Sequence, residues 1–314
     1  MPEIVTLGET MAVFAPCEKL PLRYCPDYKL RMAGAESNTA IGLAKLGHKA
    51  GWISSLGDDE MGAYVLNSIR AEGVDVSGVV INPNKRTGLM LKQLSGGETS
   101  VFYYRENSAA SCFCADDIDY DYLKSAKIIH LTGITPVLSQ SCKKACEAVV
   151  DFAQKNNITL SFDPNIRLRL WGNNDYTDLI CKIMFASKIV MLGLDEAKKL
   201  LDTNVPEEII NILRSKGARY IAIKDGSNGA WVADKNDTVF VEAQKCNCID
   251  PVGAGDGFNA GFLSGILNEE NLETCGKMGA IAGAMATETT GDTEGYPTTK
   301  QMEVRLKKAD VIYR

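Results

Sequence analysis

The sequence predicts an α/β fold: a doubly wound, mainly parallel sheet flanked by helices, with a small β-sheet lid. Three observations carry the prediction. Short apolar runs alternate with helical patterns along most of the chain. Two stretches, residues 10–32 and 87–105, break that rhythm and supply no helix. Late in the chain, a glycine-dense turn runs straight into an apolar helix.

The elements follow in order. Residues 4–7 (IVTL) read as a short buried strand ending at Gly8. Residues 37–46 have helical periodicity and stop at Gly47. Residues 50–55 read as a strand, and 61–71 as a helix ended by Gly73. Strands follow at 127–131, 158–162, 188–192, 219–224 and 238–242. Between and after them lie helices at 140–156, 195–201, 254–267 and 272–289. Residues 10–32 contain Pro16, Pro21 and Pro26 and read as irregular chain or short strands. Residues 87–105 read as a hairpin turning near Gly96-Gly97. These two insertions are expected to pair into the lid, so the core is placed at 1–9, 33–86 and 112–314 and the lid at 10–32 and 87–111.

Composition narrows the function classes. The chain has 314 residues and a formal net charge of −6, which argues against a nucleic-acid surface or a polybasic membrane anchor. The opening MPEIVTLGET has no basic, apolar leader character, and no apolar run approaches a bilayer span, so a cytoplasmic protein is expected. Ten cysteines are then expected to stay reduced. Their C-x-C spacings and the presence of only two histidines give no structural-metal pattern.

The stretch from Asp250 to Phe262, DPVGAGDGFNAGF, carries the chemistry. Gly253, Ala254 and Gly255 are small enough for successive N–H groups to converge at a helix N-terminus, which favours phosphate. Asp256 in the same turn cannot bind that phosphate, because like charges repel. It suits a general base that takes a proton from an attacking hydroxyl. A plain first-turn acid is the competing reading. Gly255 to Ala260 also matches G-x-G-x-x-A, a dinucleotide pattern, but no strand of Val/Ile type immediately precedes it. No G-x-x-x-x-G-K-[ST] phosphate loop is present.

With these residues in view, the chain resembles the ribokinase-like carbohydrate kinase family over nearly its whole length. Gly34 and Asn38, followed by AIGLAKLG, resemble its first signature, which lies against the sugar. Gly57-Asp58-Asp59 with Gly62 resembles its next block. Asp250 through Phe262 resembles its second signature, which implies Asp256 as catalytic base, Gly253–Gly255 as anion hole and Asp250 as a ligand for a monovalent cation such as potassium. Lys224, Gly226 and Gly229 fall on its nucleotide-binding strand and loop. The resemblance implies ATP as donor and Mg²⁺ as its partner, with Glu196 near the metal through water. Glycine stands at 193, where the family often has asparagine.

Three stretches are similar to 2-keto-3-deoxygluconate kinases: residues 34–38, 102–111 and 163–171. Tyr104, Arg105 and Arg167 are thereby implied as contacts to a sugar acid. Arginine suits that role, because its planar fork matches a carboxylate. Met90 stands where related sugar-acid kinases often place tyrosine, so fructose is kept as the alternative substrate. A nicotinamide-dependent oxidoreductase and a non-catalytic sugar-binding protein are the alternatives outside the class. The lid's strand edges suggest a homo-oligomer paired through the lid, since an open edge invites pairing.

Overall fold

The computed structural model describes residues 1–95 and 98–307. Among these described residues, thirteen strands occupy two sheets. In chain order they are β1 (Ile4–Leu7), β2 (Met11–Pro16), β3 (Tyr28–Ala33), β4 (Ala50–Gly57), β5 (Val79–Asn82), β6 (Leu89–Ser95), β7 (Glu98–Tyr104), β8 (Ile128–Thr132), β9 (Thr159–Asp163), β10 (Ile189–Gly193), β11 (Tyr220–Lys224), β12 (Gly229–Ala233) and β13 (Thr238–Glu242). The large sheet has nine strands in the order β13-β12-β11-β10-β9-β8-β1-β4-β5. Its pairs are parallel from β11 to β5, and antiparallel at β11–β12 and β12–β13.

The apolar runs are continuous because both faces of this sheet are covered. Successive strand residues point to opposite faces. Val190 and Leu192 therefore pack with the Gln140–Lys155, Thr177–Ala186 and Pro206–Ser215 helices. Ile189 and Met191 pack on the other side with the Ala35–Lys45, Ala254–Leu267 and Leu272–Ala286 helices. The last two helices lie close together through small residues. A Cβ on Gly265 would stand 2.7 Å from the Cα of Cys275.

The small sheet has the order β3-β2-β6-β7. β2 runs antiparallel to β3 and parallel to β6, and β6 and β7 pair antiparallel from Leu89↔Tyr104 to Ser95↔Glu98. The expected turn at Gly96-Gly97 lies outside the described residues. The sheet is a true second layer over the carboxyl ends of the parallel strands, and its inner face closes a cavity described below.

Several elements depart from the sequence reading. Residues 230–233 carry no sequence assignment and, with Gly229 from the end of the nucleotide-loop motif, form β12. Its first residue, Gly229, sits at φ +131, a conformation that L side chains rarely adopt. The expected helix at 272–289 ends at Ala286. There the Thr287 carbonyl turns aside to accept the Ile249 N–H at 2.7 Å and the Asp250 N–H at 3.2 Å. The strand at 79–82 and the helices at 177–186 and 206–215 carry no sequence assignment and complete the sheet edge and one helical layer.

Candidate active site

The carboxyl ends of β1, β8, β9, β10 and β11 converge beneath the lid, the place where open parallel sheets bind ligands. A cavity of about 470 Å³ opens there. Its floor includes Asn38, Arg167, Gly253, Asp256 and Asp292, and its roof is the lid's inner face, with Met90, Lys92 and Tyr103.

Gly253 is the N-cap of the Ala254–Leu267 helix, at φ +82. A Cβ there would collide with the Asp292 carbonyl, so both its dihedral and its surroundings demand glycine. The helical ladder starts with Gly257 N–H donating to the Gly253 carbonyl at 2.8 Å. Before it, the Ala254 N–H makes only a long bond to the Pro251 carbonyl at 3.4 Å, and the Gly255 and Asp256 N–H groups are orphan donors of a helix N-terminus. Tyr296 pins the cap by donating its hydroxyl to the Gly253 carbonyl at 2.8 Å.

Asp256 follows in the first turn and is buried, at 9% exposure. Asn38 donates to its Oδ2 at 2.9 Å, and Asn165 to its Oδ1 at 3.3 Å. The same Asn38 amide donates to Asp292 Oδ2 at 3.3 Å. Burial pushes the Asp256 pKa up to about 7. The Asn38 hydrogen bond opposes this, the Asp163 and Asp292 charges add to it, and Arg167 opposes it. Burial likewise pushes Asp292 up to about 6, against the Asn38 hydrogen bond and the Lys92 charge. A carboxyl poised near neutrality beside a helix N-terminus can accept a proton there.

Lys224, the last residue of β11, lies beside the same turn. A Cβ on Gly255 would stand 3.9 Å from its Nζ. The ammonium donates to Asp163 Oδ2 at 2.8 Å and to Asn259 Oδ1 at 3.3 Å. Burial works against the charged lysine, but Asp163 and Glu196 outweigh it and hold its pKa above the ordinary value. Gly226 and Gly229 bound the short turn after β11, both at positive φ, and a Cβ on Gly226 would meet open space. Glu196 spends its carboxylate on backbone: Oε1 accepts the Ile166 N–H and Oε2 the Gly193 N–H, both at 2.7 Å. Glycine at 193 leaves that second bond intact, because the donor is main chain. Among the described residues, no group of three or more His, Cys, Asp or Glu side chains is arranged to hold a metal.

The lid residues differ from expectation. Tyr104 is 63% exposed and outside the cavity lining, whereas Tyr103 lines it. The reason is the two-residue period: Val101, Tyr103 and Arg105 share the inner side, and Tyr104 takes the outer one. Arg105 does reach the cavity, but its Nε donates to Glu9 Oε2 at 2.7 Å. Glu9 is buried and also accepts the Ser108 hydroxyl at 2.6 Å. Arg167 is exposed to the cavity, with no carboxylate within ion-pair distance among the described residues. Gly34 caps the Ala35–Lys45 helix, where a Cβ would press on Thr10 and the Glu9 carbonyl. Asp250, expected at a monovalent cation, pairs instead with Lys92 from β6, Nζ to Oδ2 at 2.7 Å. Glu9, Asp163, Asn165, Asn259 and Asp292 were not singled out in the sequence. Asn165 carried one usable signal, since a residue after Asp-Pro often turns, and its φ is +39.

The family model for pfkB family carbohydrate kinases matches residues 1–299. The chain belongs to that family. This carbohydrate kinase is 36% identical over 316 residues to the 2-dehydro-3-deoxygluconokinase of Bacillus subtilis (strain 168), covering 99% of this chain and 98% of that one. It is 31% identical to the 2-dehydro-3-deoxygluconokinase of Thermoproteus tenax, covering 98% and 95% of the two chains. In structure it is similar to the PfkB protein of Polaromonas sp. JS666, with a TM-score of 0.89 and 34% identity over 96% of this chain and 99% of that one. The mainly parallel core and the separate small sheet of this kinase are the fold it shares with that neighbour, which agrees with the sequence reading.

Proposed function

We propose that this kinase transfers the terminal phosphoryl group of ATP to the terminal primary hydroxyl of 2-keto-3-deoxygluconate (2-dehydro-3-deoxygluconate), giving the 6-phosphate. The observation that carries this reading is a buried Asp256 at a helix N-terminus, inside a cavity that also receives Arg167. The two relatives described above bear the matching name.

Asp256 takes the hydroxyl proton as the sugar oxygen attacks phosphorus and the bond to the ADP oxygen breaks. The N–H groups around Gly253, Ala254 and Gly255 stabilise charge on the transferring group. Lys224 supplies positive charge from the core side, and the Gly226–Gly229 turn leaves room for the nucleotide. Mg²⁺ would neutralise the phosphates, held chiefly by their oxygens and by water rather than by a protein cage, with Glu196 reached through water. The segments 10–32 and 87–111 act as a lid that excludes water from the reaction. Pairing of lids between two copies is part of this reading, and a chain that sediments as a monomer at micromolar concentration would count against it.

The test is ADP release with ATP–Mg²⁺ on 2-keto-3-deoxygluconate, gluconate, fructose and ribose. Strong preference for the keto-acid is expected. Arg167→Ala should raise KM for the keto-acid by about 10–100-fold, the worth of a charge-assisted hydrogen bond, and change KM for fructose little. A second reading, fructose, is favoured by two observations: Met90 lines the cavity, and Arg105 is neutralised by Glu9, leaving less positive charge for an acid. An Arg167→Ala variant with unchanged KM for the keto-acid would favour that reading.

The Asp256 carboxyl also sets a pH dependence. With its pKa at about 7, the base is lost to protonation as pH falls. The value of kcat/KM, which reports the free enzyme, should fall about tenfold per unit below neutrality. A flat profile between pH 5 and 7, on the order of the range where an ordinary carboxylate stays ionised, would remove Asp256 from the role of base.

A further inference from the structure

The lid delivers two of its own cations to the loops that frame the anion hole. Lys92 of β6 places Nζ 2.7 Å from Asp250 Oδ2, with the two side chains only 14% and 19% exposed. The other oxygen of Asp250 is taken by the Val252 N–H at 3.2 Å. Arg31 of β3 donates to the Thr290 carbonyl at 3.1 Å and its hydroxyl at 3.2 Å, and pairs with Glu294. Nearby, the Thr287 carbonyl already accepts two N–H groups, from Ile249 and Asp250. An alkali cation beside Asp250 would need the carboxylate and neighbouring carbonyls as ligands. Those oxygens are engaged, and a charge of the same sign sits on the carboxylate.

We propose that the Lys92 ammonium does the electrostatic work of a monovalent cation at Asp250, so that turnover by this kinase does not depend on potassium. An ammonium group carries the same single charge and binds oxygen ligands in a similar way. Placed on Asp250, three residues before Gly253, it cancels a carboxylate that would otherwise repel phosphate at the helix N-terminus. Because Lys92 belongs to the lid, that cancellation is complete only when the lid rests on the core. Arg31 makes the second link from the lid, across β2 from Lys92, and supports the same closed arrangement.

The inference rests on the kinase reading above, and two measurements keep them apart. The first is ADP release in tetramethylammonium buffer against potassium at matched ionic strength, for the parent enzyme and for Lys92→Met. The parent is expected to change less than about twofold between the two salts, since both screen alike. Lys92→Met is expected to be at least about tenfold slower in tetramethylammonium, and to recover in potassium or ammonium, as a lost charge at a phosphoryl site is restored. Clear potassium activation of the parent overturns the proposal. So does a Lys92→Met loss that no cation rescues at unchanged Tm, because it places Lys92 on the phosphoryl group itself. The second measurement is calorimetric ATP–Mg²⁺ binding to both proteins in both salts. It needs no turnover, so it reads cation dependence even if the keto-acid is the wrong acceptor. Potassium should tighten binding to Lys92→Met and leave the parent unchanged; equal responses overturn the inference.

Discussion

Replacing Asp256 with asparagine is expected to lower turnover by roughly 10²–10⁴-fold, the usual worth of a positioned base, while leaving the fold intact. Asparagine keeps the shape and its amide oxygen can still accept from one of Asn38 and Asn165, but its NH2 group cannot accept from the other, nor can it take the hydroxyl proton. The substitution also removes a buried charge. The folded-state pKa of Asp256 lies above that of an exposed aspartate. Its contribution to stability is therefore complete at low pH and is lost as pH rises through about 7. The variant should accordingly melt no lower than the parent at a pH of about 8, where the parent holds the costly carboxylate. Single-turnover kinetics and a thermal melt at that pH check both halves. Near-normal turnover would remove Asp256 as base, and a collapsed melt would assign it a structural role.

Lys224→Met should be the most destabilising single change in the site, by about 3–5 kcal/mol, because it leaves the Asp163 carboxylate buried without its cation. Asp163 is 1% exposed, and its pKa is held below the ordinary value: burial would raise it, and the Lys224 charge and hydrogen bond outweigh burial. Asn259 would still donate to Asp163 Oδ2 at 2.6 Å, which keeps a neutral partner but no charge. Urea denaturation measures the loss. The double variant with Asp163→Asn should recover much of it, since removing both partners leaves no unpaired charge. If the double variant is as unstable as the sum of the singles, the pair is not the source of the loss.

The candidate site was only partly legible in the sequence. The glycines at 253 and 255 and the acid at 256 stood out because a short turn at a helix start has few purposes that require three small residues and a carboxylate. Tyr104 was misplaced for a reason visible in the strand itself. Arg105 and Tyr104 are neighbours, and adjacent residues of a strand face opposite ways. An inward-facing Arg105 therefore goes with Tyr103 on the cavity side. Gly229 closes the stretch that resembles the nucleotide-binding loop, and its positive φ lets the chain leave that turn and enter β12.

By itself, the sequence determined the layered α/β core, through two-residue and 3.6-residue periods that depend only on local geometry. It also determined the anion-hole turn, because that motif is contiguous. The tertiary structure decided which charges meet. Arg105 is held by Glu9, 96 residues away, and Lys92 by Asp250, 158 residues away. An ion pair depends on separation and burial, and both are set by how the lid lies on the core. No local pattern encodes that placement, so the sequence points to Arg105, Arg167 and Asp250 without showing that Arg105 and Asp250 are already paired.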